Sequence, residues 1–276
     1  MTAVAADATI FEPNRPLLNQ VEIPLARLPQ TLDGFTIAQL SDFHYDDIFS
    51  VHPIRKAVEV VNQLGPDLVV LTGDFVTISA LADYLHNEKD SLSAAEPCAR
   101  LLSPLRARYG VFAVLGNHDV KAGPRQVTYI FKDQGLPMLR NQSVPIERDG
   151  ARLWLAGLDS VSEGKPDPER ALQNILPGEP VVALVHEPDY ADKLCRYPVD
   201  LQLSGHSHGG QIRLPILGAP YLPEGATKYP FGLYKIGPMT LYTNAGIGTI
   251  RIPVRLNCPP EITLFTLRTA GRSGRE

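Results

Sequence analysis

The sequence predicts an α/β fold in which two packed, mixed β-sheets are flanked by helices. Three observations carry that expectation. Short apolar runs alternate with helical patterns through the first two thirds of the chain, as covered parallel sheets require. The last third keeps strand-like runs but loses the helices between them, the pattern of an antiparallel or mixed sheet. Hydrophobic residues make up 44% and charged residues 20%, enough apolar surface to bury a core and too much for a disordered chain.

Taken in order, residues 35–41 (FTIAQLS) read as a buried strand after the Asp33–Gly34 turn, and 52–64 as a helix ended by Gly65–Pro66. Strands follow at 67–73 (DLVVLTG) and 110–116 (GVFAVLG), with a helix at about 92–105 between them and another at 124–134. Residues 152–159, 180–186 and 200–206 read as further strands, with a helix at 189–195. LYKIG, MTLYTN and EITLFTLR complete the set near the end. Residues 76–100 break the rhythm and read either as an ordinary helical connection or as a cap over a site. The 276 residues fit one large domain, 1–276, with a core at 30–268 and neither internal repeat nor low-complexity linker. Proline, 25 copies, points to many fixed irregular loops.

The net charge of −4 and pI near 6.0 give the chain no global basic field, so specific nucleic-acid binding is not expected. Cys98, Cys195 and Cys258 stand far apart, which suggests neither a disulfide framework nor a cysteine zinc site. No apolar run reaches the ~18 residues of a membrane span, and MTAVAADATIFEP lacks the basic and apolar regions of a signal peptide. A cytoplasmic location, or one peripheral to the membrane, is therefore expected.

The chemistry lies in the histidines. Five of seven, His44, His118, His186, His206 and His208, end predicted buried strands, in the company of Asp42, Asp74 and Asn117. In α/β sheets the carboxyl ends of the strands form the ligand crevice, so these groups converge on one edge. Asp42 and His44 are two apart, and on an extended backbone they would point the same way, as would His206 and His208. Asp74 could bridge two ions through its two oxygens, and Asn117 adds a neutral one. Neighbouring glycines permit close backbone approach. Mixed carboxylate, amide and imidazole donors suit Mn, Fe or Zn. Two such ions outweigh two carboxylates and a bridging hydroxide, leaving a charge of about +1 that attracts a phosphoester.

The motifs DxH (Asp42, His44), GD (Asp74), GNHD (116–119), His186 and GHSH (205–208) resemble, in order, those of the calcineurin-like metallophosphoesterase family. The tail GGQIRLPILGAPYLPEG, KYPFGLY, TNAGIGT and PVRLNCPPEITLFTL is similar to a bacterial phosphodiesterase-like subfamily, and that likeness spans about residues 30–268. Many members of the subfamily carry an N-terminal anchor or export signal; this chain differs there and in its long 76–100 segment. The resemblance implies an α/β/β/α sandwich with two divalent ions, Mn the expected activator. Asp42, His44 and His208 would hold the first metal, Asp74 would bridge, and Asn117, His186 and His206 would complete the second. His118 would donate a proton to the leaving oxygen, with Asp119 orienting and charging it. Hydrolysis would proceed by attack of metal-bound hydroxide on a phosphodiester or pyrophosphate, small or lipid-linked. The alternatives are a phosphomonoesterase or protein phosphatase, a nuclease, and a non-catalytic scaffold; the intact His118 speaks against the last. No protein partner is inferable.

Outside the motifs, Asp46, Asp47 and Asp159 read as loop caps. Arg125, Arg213 and Arg251 read as solvated surface or as a grip on substrate phosphate. Ile212, Leu214, Ile216, Leu217, Tyr221, Leu222 and Phe231 read as core or as an apolar rim for a lipid substrate.

Overall fold

The structure is a computed structural model describing residues 3–78 and 89–270. Eleven strands in those residues form two sheets. The first holds β1 (Leu17–Leu25), β11 (Glu261–Thr269), β2 (Thr36–Leu40), β3 (Leu68–Leu71) and β4 (Val111–Ala113), in that spatial order. The second runs β5 (Gln142–Arg148), β6 (Ala151–Gly157), β7 (Val181–Leu184), β8 (Leu201–Ser204), β10 (Met239–Thr243) and β9 (Gly232–Ile236). β2, β3 and β4 are parallel, as are β6, β7, β8 and β10, while β11 runs antiparallel to β2 and β9 to β10.

The central strands are near-continuous aliphatic runs because both of their faces are covered. LVVL and VVAL are buried at every position. Between the sheets, Phe35, Ile37, Leu68 and Val70 of the first meet Leu155, Val182, Leu184 and Leu203 of the second in one apolar layer. Helices cover the outer faces. Val51–Leu64 buries Ile54, Ala57, Val58 and Val61, the i, i+3, i+4, i+7 stripe of a one-sided helix, and stops at left-handed Gly65, whose N–H bonds the Val61 carbonyl.

The observed strands are shorter at their carboxyl ends than the apolar runs suggested. β3 stops at Leu71 and β8 at Ser204, because Gly73, Asp74, His206 and His208 turn into positive φ. The helix expected at about 92–105 is two helices, Lys89–Ser93 and Ala95–Leu102. Ala95, Cys98, Ala99 and Leu102 enter the core, and residues 79–88 of the 76–100 segment lie outside the described residues. EITLFTLR does not join the sheet of its predecessors: β11 crosses to the first sheet, and the connection 244–260 runs over the edge where the motif loops gather. That connection positions the site.

Candidate metal centre

Each functional side chain leaves the carboxyl end of a strand. Asp42 and His44 follow β2, Asp74 follows β3, and Asn117 and His118 follow β4 at the start of helix Asn117–Ala122; His186 follows β7, and His206 and His208 follow β8. The extended geometry expected for the two-apart pairs does not occur. Asp42, His44, Asp74, His206 and His208 all hold positive φ, between 42° and 68°, because the chain must turn sharply off the sheet edge to bring the donors inward. Glycine makes the crowding possible. A Cβ on Gly116 would collide with the Asp74 carboxylate, and one on Gly205 with Ser41 and Asp42.

Asp74 is central. Its Oδ2 lies 3.4 Å from His44 Nε2 and 3.1 Å from His186 Nε2, and its Oδ1 accepts the His118 N–H at 3.0 Å. Two triads share this neighbourhood, Asp42–His44–His208 and Asp74–His186–His206, each with donor atoms within 4.8 Å of one another. His44, Asp74 and His118 form a third group by the same measure.

Backbone and side-chain partners fix the tautomers. His186 Nδ1–H donates to the Thr72 carbonyl at 2.6 Å, which turns Nε2 toward Asp74. His206 Nε2–H donates to the Glu224 carbonyl at 2.8 Å, which leaves Nδ1 as its donor to a ligand. His44 Nδ1 sits 3.1 Å from Thr77 Oγ1. The residues fit metal ions on a direct test. His208 Nδ1 and Asn117 Oδ1 are buried with no hydrogen-bond partner among the described residues, and His44 Nε2 and His186 Nε2 meet the Asp74 carboxylate, a crowding of buried polar atoms that is costly unless something binds them.

The charges are tightly coupled. Burial pushes Asp42 up to about 6 and His44 down to about 3. Burial also disfavours charge on His186, yet the Asp74 carboxylate overcomes it and holds that imidazole well above its ordinary value. Asp74 in turn is pulled well below the carboxylate range, against its burial, chiefly by the charge on His186, whose Nε2 is its ion-pair partner. Burial lowers His206 and His208.

Two expectations change. Asp119 does not orient His118. Its carboxylate accepts the backbone N–H groups of Gly116, Asp74, Phe75 and Val76, so it splints the GNHD turn to the GD turn. His118 instead accepts the Ile78 N–H at Nδ1, 2.8 Å away. An imidazole accepting at Nδ1 is neutral, with its proton on Nε2. From Nε2 it can give a hydrogen bond. The loop 212–222 also departs from the core reading: Leu214, Ile216, Leu217 and Tyr221 are exposed, as is Phe231 beyond it. Asp46 does cap its loop, accepting the N–H groups of Ile48 and Phe49.

Arg255 carried no sequence signal, since its partners are carbonyls rather than acids. Fully buried, it donates to the carbonyls of Ala245, Gly246, Gly248 and Cys258. Gly248 N–H in turn bonds the Asp42 carbonyl, and Ile247 N–H that of Ser41. Arg255 thereby pins the connection 244–260 behind the first triad.

In front of the cluster opens a cleft of about 540 Å³. The candidate metal ligands His44, Asp74, Asn117, His206 and His208 line it with His118, as do Ile212, Tyr221, Ile250, Arg251 and Ile252. Among the described residues, no helix is long and apolar enough to cross a membrane.

Comparison with known proteins agrees with this geometry. Residues 35–210 match the family described as calcineurin-like phosphoesterase. The chain is 35% identical to the uncharacterized metallophosphoesterase YkuE of Bacillus subtilis, over 95% of this chain and 89% of that one. It is 32% identical to phosphodiesterase YaeI of Escherichia coli, over 84% and 82%. In fold it is similar to a dimetal phosphatase from Danio rerio, with a TM-score of 0.51 at 14% identity, covering 78% of this chain and 88% of the other. Motif order, paired sheets and donor cluster thus meet in one conclusion: the chain belongs to the calcineurin-like phosphoesterase family.

Proposed function

We propose that the protein hydrolyses a phosphodiester or pyrophosphate bond with two divalent ions, Mn being the best activator. The observation that carries this reading is Asp74 Oδ2, set between His44 Nε2 and His186 Nε2, each imidazole belonging to a different donor triad. Ions held by Asp42, His44 and His208 on one side, by Asn117, His186 and His206 on the other, and by Asp74 between them would supply Lewis acidity toward the phosphoryl group and a water.

The chain's own residues do the rest. Asp74 and Asp42 hold the negative charge that balances the ions. His118 lines the cleft with Nδ1 accepting from Ile78, and so offers Nε2–H to a non-leaving phosphoryl oxygen. Asp119 holds the turns that carry Asp74 and His118 in register. The likeness to phosphodiesterase YaeI, and a cleft that extends well beyond the donor cluster, support a diester over a monoester. The exposed Ile216 and Leu217 support a peripheral contact with a membrane.

The experiment is metal analysis of the purified protein, followed by turnover of p-nitrophenyl phosphate and bis-p-nitrophenyl phosphate with Mn. Faster turnover of the bis ester is expected. Faster turnover of the monoester would make the protein a phosphomonoesterase, and inactivity on both with metal bound would make it a scaffold.

A further inference from the structure

Three isoleucines line the cleft, and a buried glutamine holds the loops that carry them in place. Gln211 Oε1 accepts the Ile250 N–H at 2.8 Å, while its Nε2 donates to the carbonyls of Ile250 at 3.2 Å and Ile252 at 3.0 Å. Both ends of a side chain that is only 7% exposed are thus spent on tying the loop after His208 to the loop at 250–252. The result is a wall of Ile212, Ile250 and Ile252 facing the same space as the metal-ligand residues. Ile252 is 50% exposed there, an apolar surface held toward water by built hydrogen bonds.

Tyr221 and Arg251 also line the cleft. The guanidinium carbon lies 4.4 Å from the Tyr221 ring centroid, and Nη2 donates to the phenol oxygen at 2.9 Å. Arg251 holds φ at 65°, a strained state for a residue with a side chain and one common at ligand clamps. Among the described residues of the lining, Tyr221 is the only aromatic ring other than the histidines, and one of its faces is covered, which disfavours stacking of a nucleobase on it.

We propose that the Ile212–Ile250–Ile252 wall is a subsite for an aliphatic chain carried by the substrate's non-leaving substituent. This rests on the phosphodiester reading above and deepens it by naming what the second ester group is. The volume suits it: about 540 Å³ lies in the range that encloses a whole small ligand, more than a phosphoryl group with a short alcohol fills. The chemistry suits it too, since each methylene withdrawn from water strengthens binding about fourfold.

The test compares octyl p-nitrophenyl phosphate with methyl p-nitrophenyl phosphate, which share one leaving group. With Mn, the octyl ester should be favoured in kcat/KM by on the order of tenfold or more. The Ile250→Ser/Ile252→Ser double variant, checked for an unchanged Tm, should lose most of that preference. A readout independent of turnover is calorimetric binding of octyl phosphate against methyl phosphate in EDTA, where only the octyl compound should bind and the double variant should bind it more weakly. Equal kcat/KM for the two esters, a preference that survives the double substitution, or faster turnover of thymidine 5′-p-nitrophenyl phosphate than of the octyl ester would overturn the subsite. Should no ester be cleaved with any divalent ion, the phosphodiester reading falls by itself. Octyl phosphate binding then still decides the subsite, and its absence would refute it.

Discussion

Replacing His118 by asparagine should slow phosphoester hydrolysis by a factor that does not depend on the leaving group. The ring is seated by the Ile78 N–H at Nδ1, so its remaining proton is the Nε2–H of a neutral imidazole. A hydrogen bond from such a donor to a charged oxygen contributes about 1.5–3 kcal/mol, which is roughly 10–150-fold in rate. A true proton donor would contribute on the order of 10²–10⁴, and most for the poorest leaving groups. The assay is a series of aryl methyl phosphates running from nitrophenolate to phenolate, with log kcat/KM plotted against leaving-group pKa for both proteins. Parallel lines are expected, offset by the hydrogen bond, with the metal content unchanged. A steeper line for the variant would refute the neutral-donor role and restore His118 as the acid. Loss of metal would show that the third group, His44–Asp74–His118, is the one that binds an ion.

Asp74→Ala removes the oxygen shared by both triads, and elemental analysis should find both ions depleted rather than one. Metal binding should release protons, because His186 is held charged by Asp74 and must lose a proton to become a ligand. Calorimetry in two buffers should count about one proton at pH 7, and more at pH 5.5, where Asp42, raised to about 6, is also protonated. The sign for the metal-free protein follows: the folded His186 value lies above its unfolded ~6.5, so this contribution to stability is complete below pH 6.5 and is lost as pH rises through the folded value. Arg255→Met leaves the carbonyls of Ala245, Gly248 and Cys258 without their donor and should cost about 3–5 kcal/mol, lowering Tm by roughly 6–20 °C in a thermal melt. Ile216→Asp with Leu217→Asp should reduce co-sedimentation with phospholipid vesicles, and unchanged binding would remove the membrane contact.

The central strands were legible because burial on both faces leaves a plain mark, a run such as LVVL or VVAL. Of the four edge strands, β4 and β9 were legible, but β1 and β5 were not. β1 alternates exposed Asn19 and Glu22 with apolar residues and carries Pro24, and β5 carries Pro145; proline reads as a breaker unless the strand is known to be an edge. The donor residues were legible as types and in order, because a parallel sheet delivers its strand ends to one place. Their directions were not. The rule that residues two apart share a face belongs to extended chain, and Asp42, His44, His206 and His208 have left it. Asp119 was misread for a related reason: adjacency to His118 in sequence says nothing about which way each side chain faces at the first turn of a helix. Arg255 was illegible outright, since a guanidinium satisfied by carbonyls has no acidic partner for a pattern to reveal.

Those left-handed turns raise the question of what holds them. Five non-glycine residues at positive φ cost about 1 kcal/mol or more each, and the orphaned donors add to that. A single turn could not bear this alone, but each is bonded to another. Asp42 N–H bonds the Gly73 carbonyl, and Phe43 and His44 N–H both bond that of Asp74. His206 N–H bonds the Asp42 carboxylate, Asp119 bonds both the GD and GNHD turns, and the Gly248 N–H closes onto Asp42. Relaxing any one turn therefore breaks hydrogen bonds in its neighbours, and β2, β3, β4 and β8 are locked together at their ends. The strain and the unpaired donor atoms are thus properties of the folded chain itself. They leave a set of donors already converged, so an arriving ion meets a site whose ordering cost has been met by the fold.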